Sequence, residues 1–290
     1  MIATSSRPAK APTKSATPAD HPVLRALLSR PHPAVMGVLN VTPDSFSDGG
    51  QFVAPERALA QARRMVAEGA DIIDIGAEST RPYGDAEPVS ADQELARLRP
   101  ILAEVISLGV PVSIDSMKSA VVAYALDAGA AMANDVWGLQ RDPGMAGLLA
   151  ARGSPGIVMH NRDRVDADID IIRDIAAFFT RSLEIAAKAG ISRENIVLDP
   201  GIGFGKTAEQ SMTALARLGE LSVFGLPLLV GASRKRFISS VTPSEPHQRL
   251  GGSIAAHLVA ARGGARIIRT HDVSETVQAL RVAAAIEDRR

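Results

Sequence analysis

A chain of 290 residues with 32 basic and 32 acidic side chains has no basic excess to engage a nucleic-acid backbone, and 3% aromatics leave little to stack on bases. Cysteine is absent, which excludes a disulfide frame, a thiolate nucleophile and a cysteine metal site and is compatible with a reducing cytoplasm. No apolar run approaches the roughly 20 residues of a spanning helix, so no membrane partner is expected.

Residues 1–33 open with MIATSSRPAKAPTKSATPAD, rich in Ser, Thr, Ala, Pro and Lys, and read as a disordered tail with little to bury. Their acid-poor, Arg-containing composition also fits a transit peptide, although the early prolines spoil an amphipathic helix. From residue 34 to residue 290 the chain alternates regularly. The runs AVMGVLNV, DIIDIGA, VPVSID, AMANDV, GIVMH, NIVLD, PLLVGAS and RIIRTHD read as buried parallel strands. Helical stretches such as PERALAQARRMVAEG and SEPHQRLGGSIAAHLVAARGG lie between them, and Gly69, Gly109, Gly129 and Gly190 stand where helices end. Eight such units over about 250 residues predict a single-domain (β/α)8 TIM barrel of the α/β class. An open doubly wound sheet is the rival, and it would show an edge or a switch point.

Each apolar run ends in groups able to hydrogen-bond a ligand: Asn40, the stretch 78–81, Asp115, Asn134 with Asp135, His160, Asp199, the stretch 233–235, and Arg269 with His271. In a barrel these ends share one mouth. Loop polarity accounts for one or two of them, but not for half-buried carboxylates, amides and cations at eight ends. An enzyme is expected. Asp115, Asn134 and Asp199 offer two anionic acceptors and an amide to a flat heterocycle. Helix capping, with Asp115 and Ser116 ahead of a helix near Lys118, and metal binding are the alternatives. Lys235, Arg81, Arg269 and His271 suit a phosphate, or an ion pair with Asp272. The loops TPDSFSDGG (42–50) and STRPYGDAEP (79–88) read as lids or as plain surface turns. LDPGIGFGKT, over 198–207, misses a phosphate-loop motif at Pro200 and a dinucleotide fingerprint at Lys206, so its glycines serve tight turning for another purpose.

MGVLNVTPDSFSDGG, DIIDIGAESTRP, SIDS, NDV, GIVMH, LDPGIGFGKT, GASRKRF and RTHDV, in that order from about Met36 to the final helix, resemble the dihydropteroate synthase family. The first two carry specific signatures; SIDS, NDV and RTHDV mean little alone. The resemblance implies a TIM-barrel transferase that joins p-aminobenzoate to hydroxymethyl-dihydropterin diphosphate, as a cytoplasmic homodimer using Mg²⁺. By motif, Asp115, Asn134, Asp199 and Lys235 would hold the pterin, with Met159 and Phe204 on its faces. Asn40 would ligate Mg²⁺, and Thr80, Arg81, Arg269 and His271 would take the diphosphate. Phe46 and Pro82 would wall the aminobenzoate pocket, while Asp48, near the reacting methylene, and Lys235 would be catalytic. One departure is Tyr83 ahead of Gly84 and Asp85, which lengthens the second loop and touches the aminobenzoate side. A pterin-binding module like that of cobalamin-dependent methyltransferases is the competing implication. It needs no diphosphate cluster, and ESTRP, SRK and RTHD favour the synthase.

Overall fold

Eight short apolar runs become strands here because each is buried on both sides, once by the helices outside and once by the strands opposite. In the computed structural model, residues 21–42, 53–78 and 89–289 are described. The chain begins with α1 (Pro22–Leu28), β1 (Ala34–Asn40), α2 (Val53–Ala67), β2 (Ile72–Gly76), α3 (Ala91–Leu98) and α4 (Leu102–Ile106). It continues through β3 (Val112–Asp115), α5 (Ser119–Asp127), β4 (Met132–Asp135), α6 (Pro143–Arg152), β5 (Gly156–Met159) and α7 (Ile171–Ala189). Last come β6 (Ile196–Asp199), α8 (Ala208–Ala216), β7 (Leu228–Val230), α9 (Arg236–Val241), α10 (Leu250–Arg262), β8 (Ala265–Thr270) and α11 (Val273–Glu287). All strands are parallel and β1 pairs with both β2 and β8, so the sheet closes and the open-sheet rival falls.

The two-residue period of a strand divides its side chains between two cores. Val35, Ile73, Ile75, Ile114, Val158 and Ile268 face outward and pack beneath the helices. Met36, Ile72, Met132, Ile157, Val197, Leu229 and Ile267 face the axis and fill the lower barrel. Gly69, Gly109, Gly129 and Gly190 adopt the left-handed conformation expected of them, with φ between 85° and 106°. They turn each helix sharply into its next strand.

The N-terminal expectation needs correction. Residues 1–20 lie outside the described part, but residues 21–33 are no loose tail. After Pro22, which presets the first helical turn, Leu24 and Leu27 of α1 are 0% and 4% exposed and join the axial core. The segment is fastened as well as packed. His21 N donates to Asn195 Oδ1 at 3.1 Å, Arg266 donates to the carbonyls of Leu28 and Arg30 at 2.7 Å each, and Arg30 pairs with Asp71 at 2.7 Å. The signal was present in Leu24, Leu27 and Leu28 at helical spacing; the proline-rich composition ahead of them masked it.

Leu24→Ala is therefore expected to lower the unfolding free energy by about 2–4 kcal/mol. Deletion of residues 1–33 should lower the melting temperature further than this substitution does. Urea denaturation and thermal melts measure both, and unchanged midpoints would show that α1 does not support the barrel.

Candidate active site

The axial core changes character within two residues along several strands, four of them passing from an apolar to a polar side chain. Ile72 is followed on the same face by Asp74, Met132 by Asn134, Ile157 by Met159, Val197 by Asp199 and Ile267 by Arg269. Strand register sets these upper residues side by side: Asp115 is level with Gly76 and Asn134, and Met159 with Asp199. The barrel is thus apolar below and charged above, at the C-terminal end where this architecture builds its sites.

Arg269 organises the charged layer. Its Nε donates to Asp74 Oδ2 at 2.6 Å and its Nη2 to Asp115 Oδ2 at 2.7 Å. Asp74 Oδ2 also accepts from Asn134 Nδ2 at 3.0 Å, which leaves Asn134 Oδ1 as an acceptor. Burial pushes the Asp115 carboxyl up to about 7 against the pull of Arg269, and pushes Asp199 up to about 6 against the Gly201 N–H that donates to it at 2.7 Å. Asp74 Oδ1, Asp115 Oδ1 and Asn134 Oδ1 are buried without a hydrogen-bond partner. Buried acceptors in that state ask for donors from elsewhere.

A cavity opens beside them, lined by Asp115, Met159, Asp199, Phe204, Lys235 and Arg269 together with Val136, Gly201, Ile202 and Gly231. Lys235 Nζ stands 4.0 Å from the centre of the Phe204 ring, a cation–π distance. Chemically the site offers carboxylate and amide acceptors on one side, an aromatic face and a thioether on others, and cations at the edge.

The structure therefore brings Asp115, Asn134, Asp199, Lys235, Met159 and Phe204 together as the sequence implied. Capping is not the role of Asp115: Ser116 Oγ accepts from Lys118 N, and Asp142 takes the Ser119 N–H that opens α5. Arg269 differs from expectation. It lies within the acid group instead of in a separate basic cluster, and the partner of Asp272 is Arg234. His271 stands at the rim, with its main-chain N–H and Nδ1 on Ser233 Oγ at 3.2 and 3.0 Å. Burial and the nearby Arg269, Arg234 and Lys235 cations hold its pKa down to about 3. Phe46, Asp48, Thr80, Arg81 and Pro82 lie outside the described residues, as does the departure at Tyr83.

Three polar strand ends serve structure. Glu78 accepts from Val89 N at 3.0 Å and shares Lys118 with the buried Glu94. Asp135 caps the turn after β4 through Trp137 N and Leu139 N. His160 joins Asp174 and Lys206. Sequence reasoning missed Asp74, the second acid of DIIDIGA, set between Ile73 and Ile75. A charged residue two positions from the end of an otherwise apolar run was the available signal.

Asn40 at the end of β1 is the predicted Mg²⁺ ligand. Among the described residues no three His, Asp or Glu gather into a metal cage. Asn40 Oδ1 and Asp115 Oδ2 both lie 3.6 Å from where a Cβ on Gly76 would stand, so the amide oxygen faces the charged layer. One neutral oxygen donor fits a Mg²⁺ ion that keeps its waters and arrives on substrate phosphates.

Comparison with known proteins agrees with this geometry. A family model described as pterin binding enzyme matches residues 36–271. The chain is 42% identical over 253 residues to the dihydropteroate synthase of Bacillus subtilis, covering 87% of this chain and 88% of that protein. It is 47% identical over 262 residues to a probable bifunctional folylpolyglutamate synthase/dihydropteroate synthase of Haloferax volcanii, covering 88% of this chain but 31% of that longer protein. The solved dihydropteroate synthase of Clostridium difficile in the presence of pteroic acid superposes with a TM-score of 0.85 at 46% identity, over 88% of this chain and 97% of that one.

The Arg269 fork has a testable electrostatic consequence. A carboxyl whose folded pKa is raised stabilises the protein relatively at low pH, and that stability is lost as pH rises through the folded value. Replacing Arg269 by Met removes the cation that opposes the rise at Asp115. The variant's loss of stability should be smaller at pH 5 and grow by about 1.4 kcal/mol between pH 7 and pH 8. Denaturation at these pH values measures this, and a loss independent of pH would show that Arg269 does not compensate the buried acids.

Proposed function

The chain belongs to the dihydropteroate synthase family of pterin binding enzymes, and from that premise we propose how its own residues carry the reaction. It is a transferase of folate biosynthesis that condenses hydroxymethyl-dihydropterin diphosphate with p-aminobenzoate, giving dihydropteroate and diphosphate. The methylene C–O bond breaks with its electron pair leaving on diphosphate. The aromatic amine then forms the C–N bond and sheds one proton. The electron-rich pterin stabilises a cation at the methylene, so no protein nucleophile is needed.

One observation supports the assignment of residues: Asp115 Oδ1 is a buried acceptor without a partner, it lies with Asp199 at a cavity with an aromatic wall, and Asn134 Oδ1, level with Asp115 on the next strand, is unpartnered too. The amino-amide edge of a pterin supplies the donors these acceptors lack. Phe204 and Met159 flank the ring, and Lys235 holds its polar edge while its charge favours the departing anion. Asp74 acts through its neighbours, turning Asn134 Oδ1 to the ligand and aiming Arg269.

Arg269 and His271, with Thr80 and Arg81 from the second loop, bind the diphosphate. His271 stays neutral at pH 7 and offers an N–H. Mg²⁺, held by Asn40 and the substrate, would neutralise part of the leaving-group charge. Phe46 and Pro82 flank aminobenzoate, and Asp48 sits near the methylene; these roles rest on the family motif. The methyltransferase-type module is the weaker reading, because the relatives that match over most of this chain are dihydropteroate synthases.

We also propose a homodimer. Val259 on α10 and Val282 and Ile286 on α11 are 45%, 54% and 57% exposed on two adjoining helices, an apolar face suited to a second copy. No described helix is long and apolar enough to cross a membrane. A chain without cysteine needs no oxidising compartment, which supports a cytoplasmic enzyme.

Diphosphate release on mixing the protein with both substrates and Mg²⁺ tests the function directly; release independent of aminobenzoate would contradict it. Asp199→Asn puts a donor where an acceptor is required and should weaken pterin binding by about 2–4 kcal/mol in calorimetry. Unchanged affinity in the folded variant would remove Asp199 from the site.

The pterin engages ionised carboxylates, so binding competes with protonation at Asp115 and Asp199. Affinity should be level near pH 8 and fall as pH drops through about 7 and then about 6. A flat profile between pH 8 and pH 5 would contradict the carboxylate contacts.

A further inference from the structure

Lys206 is among the most deeply buried side chains of the molecule, at 1% exposure, and the reaction leaves it without a task. It follows the loop that runs from Asp199 to Phe204 and precedes Thr207, which caps α8 by accepting from Gln210 N. Its Nζ contacts the carbonyl oxygens of Gly201 at 2.9 Å and Phe204 at 3.1 Å, and His160 Nδ1 at 2.6 Å. The loop is bent so tightly that a Cβ on Gly201, at φ +64°, would stand 2.0 Å from the His160 carbonyl oxygen. That bend turns main-chain carbonyls inward, where Gly201 O accepts from Phe204 N at 3.0 Å and Lys206 adds a second donor.

The chain of contacts behind Lys206 fixes its protons. Arg162 lies 3.0 Å from Asp174, and His160 and Arg162 together hold Asp174 ionised with a pKa of about 2. Asp174 accepts from His160 Nε2 at 2.9 Å, so the imidazole keeps its proton there and Nδ1 is an acceptor. Burial draws Lys206 down to about 7. The three acceptors around Nζ nonetheless call for three N–H donors, which only the ammonium possesses.

We propose that Lys206, oriented by His160 and Asp174, is a positioning residue for pterin recognition: it ties the carbonyls of Gly201 and Phe204 together and so sets the Phe204 ring and the Asp199 carboxylate at the cavity. The inference rests on the pterin reading of that cavity. Lys206 is bonded to the main chain of Gly201 and Phe204, which line the cavity, and acts through that loop. Its loss should thus appear in pterin affinity ahead of turnover.

Lys206→Met should weaken 6-hydroxymethylpterin binding in calorimetry by about tenfold or more, the scale seen when buried polar groups lose a partner. The KM for the pterin diphosphate should rise in parallel, with kcat within about threefold of the native value. His160→Leu removes the Nδ1 acceptor and should behave like Lys206→Met. His160→Asn restores an acceptor oxygen near that place and should recover most of the affinity, which keeps the test decisive where Lys206→Met folds poorly. Failure of the native protein to bind the pterin would overturn the reading of the cavity itself. Native binding with equal affinity in Lys206→Met and His160→Leu would overturn the positioning role alone. A matched fall in kcat and affinity in all three variants, with lowered melting temperatures, would also overturn it in favour of a general structural role.

Discussion

A single guanidinium makes the upper barrel possible. Asp74 and Asp115 approach the axis from neighbouring strands in surroundings that exclude water, and two such charges repel one another as well as losing hydration. Arg269, from the strand that closes the barrel, reaches both through a planar fork. The same contacts then determine the rest. Because Asp74 is shared with Asn134, the amide is locked; because Asp115 spends one oxygen on Arg269, its other oxygen is left for a ligand. Recognition is therefore a remainder, consisting of what the fork does not consume.

This arrangement separates stability from chemistry by a vertical distance of two residues. The apolar layer at Ile72, Met132, Ile157, Val197 and Ile267 packs as any core does and asks nothing of a substrate. The layer above carries the burial cost of charge, and the packed layer below offsets it. Substitutions that keep volume in the lower layer would leave the site's electrostatics unaltered, whereas any change of charge above is felt by every member of the fork.

Much of this was legible in the sequence, and the reasons are local. Strands showed as apolar runs because parallel strands are buried on both faces, and helix ends showed as glycines because a left-handed turn excludes most side chains. Asp115, Asn134 and Asp199 were found because they terminate runs. Asp74 was not, because alternation along one strand does not say which face will meet the axis; barrel closure decides that. Arg269 was recognised as a cation, but its partners lie 195 and 154 residues away, and no local pattern encodes them. Lys206 looked like part of a failed phosphate motif, since the contact that gives it a different purpose comes from His160, just past β5 and 46 residues away. The helix at Pro22–Leu28 was hidden by the composition of its neighbours.

That helix has a consequence for traffic. With Leu24 and Leu27 wedged into the floor, the described barrel is a blind shaft and not a tunnel. Whatever descends to the level of Asp199 must climb back past Lys235 and the rim at His271. In a shaft of this kind depth dictates the queue: the ring that lodges lowest is the first to arrive and the last to depart. Anything resting above it has to move aside before it can follow.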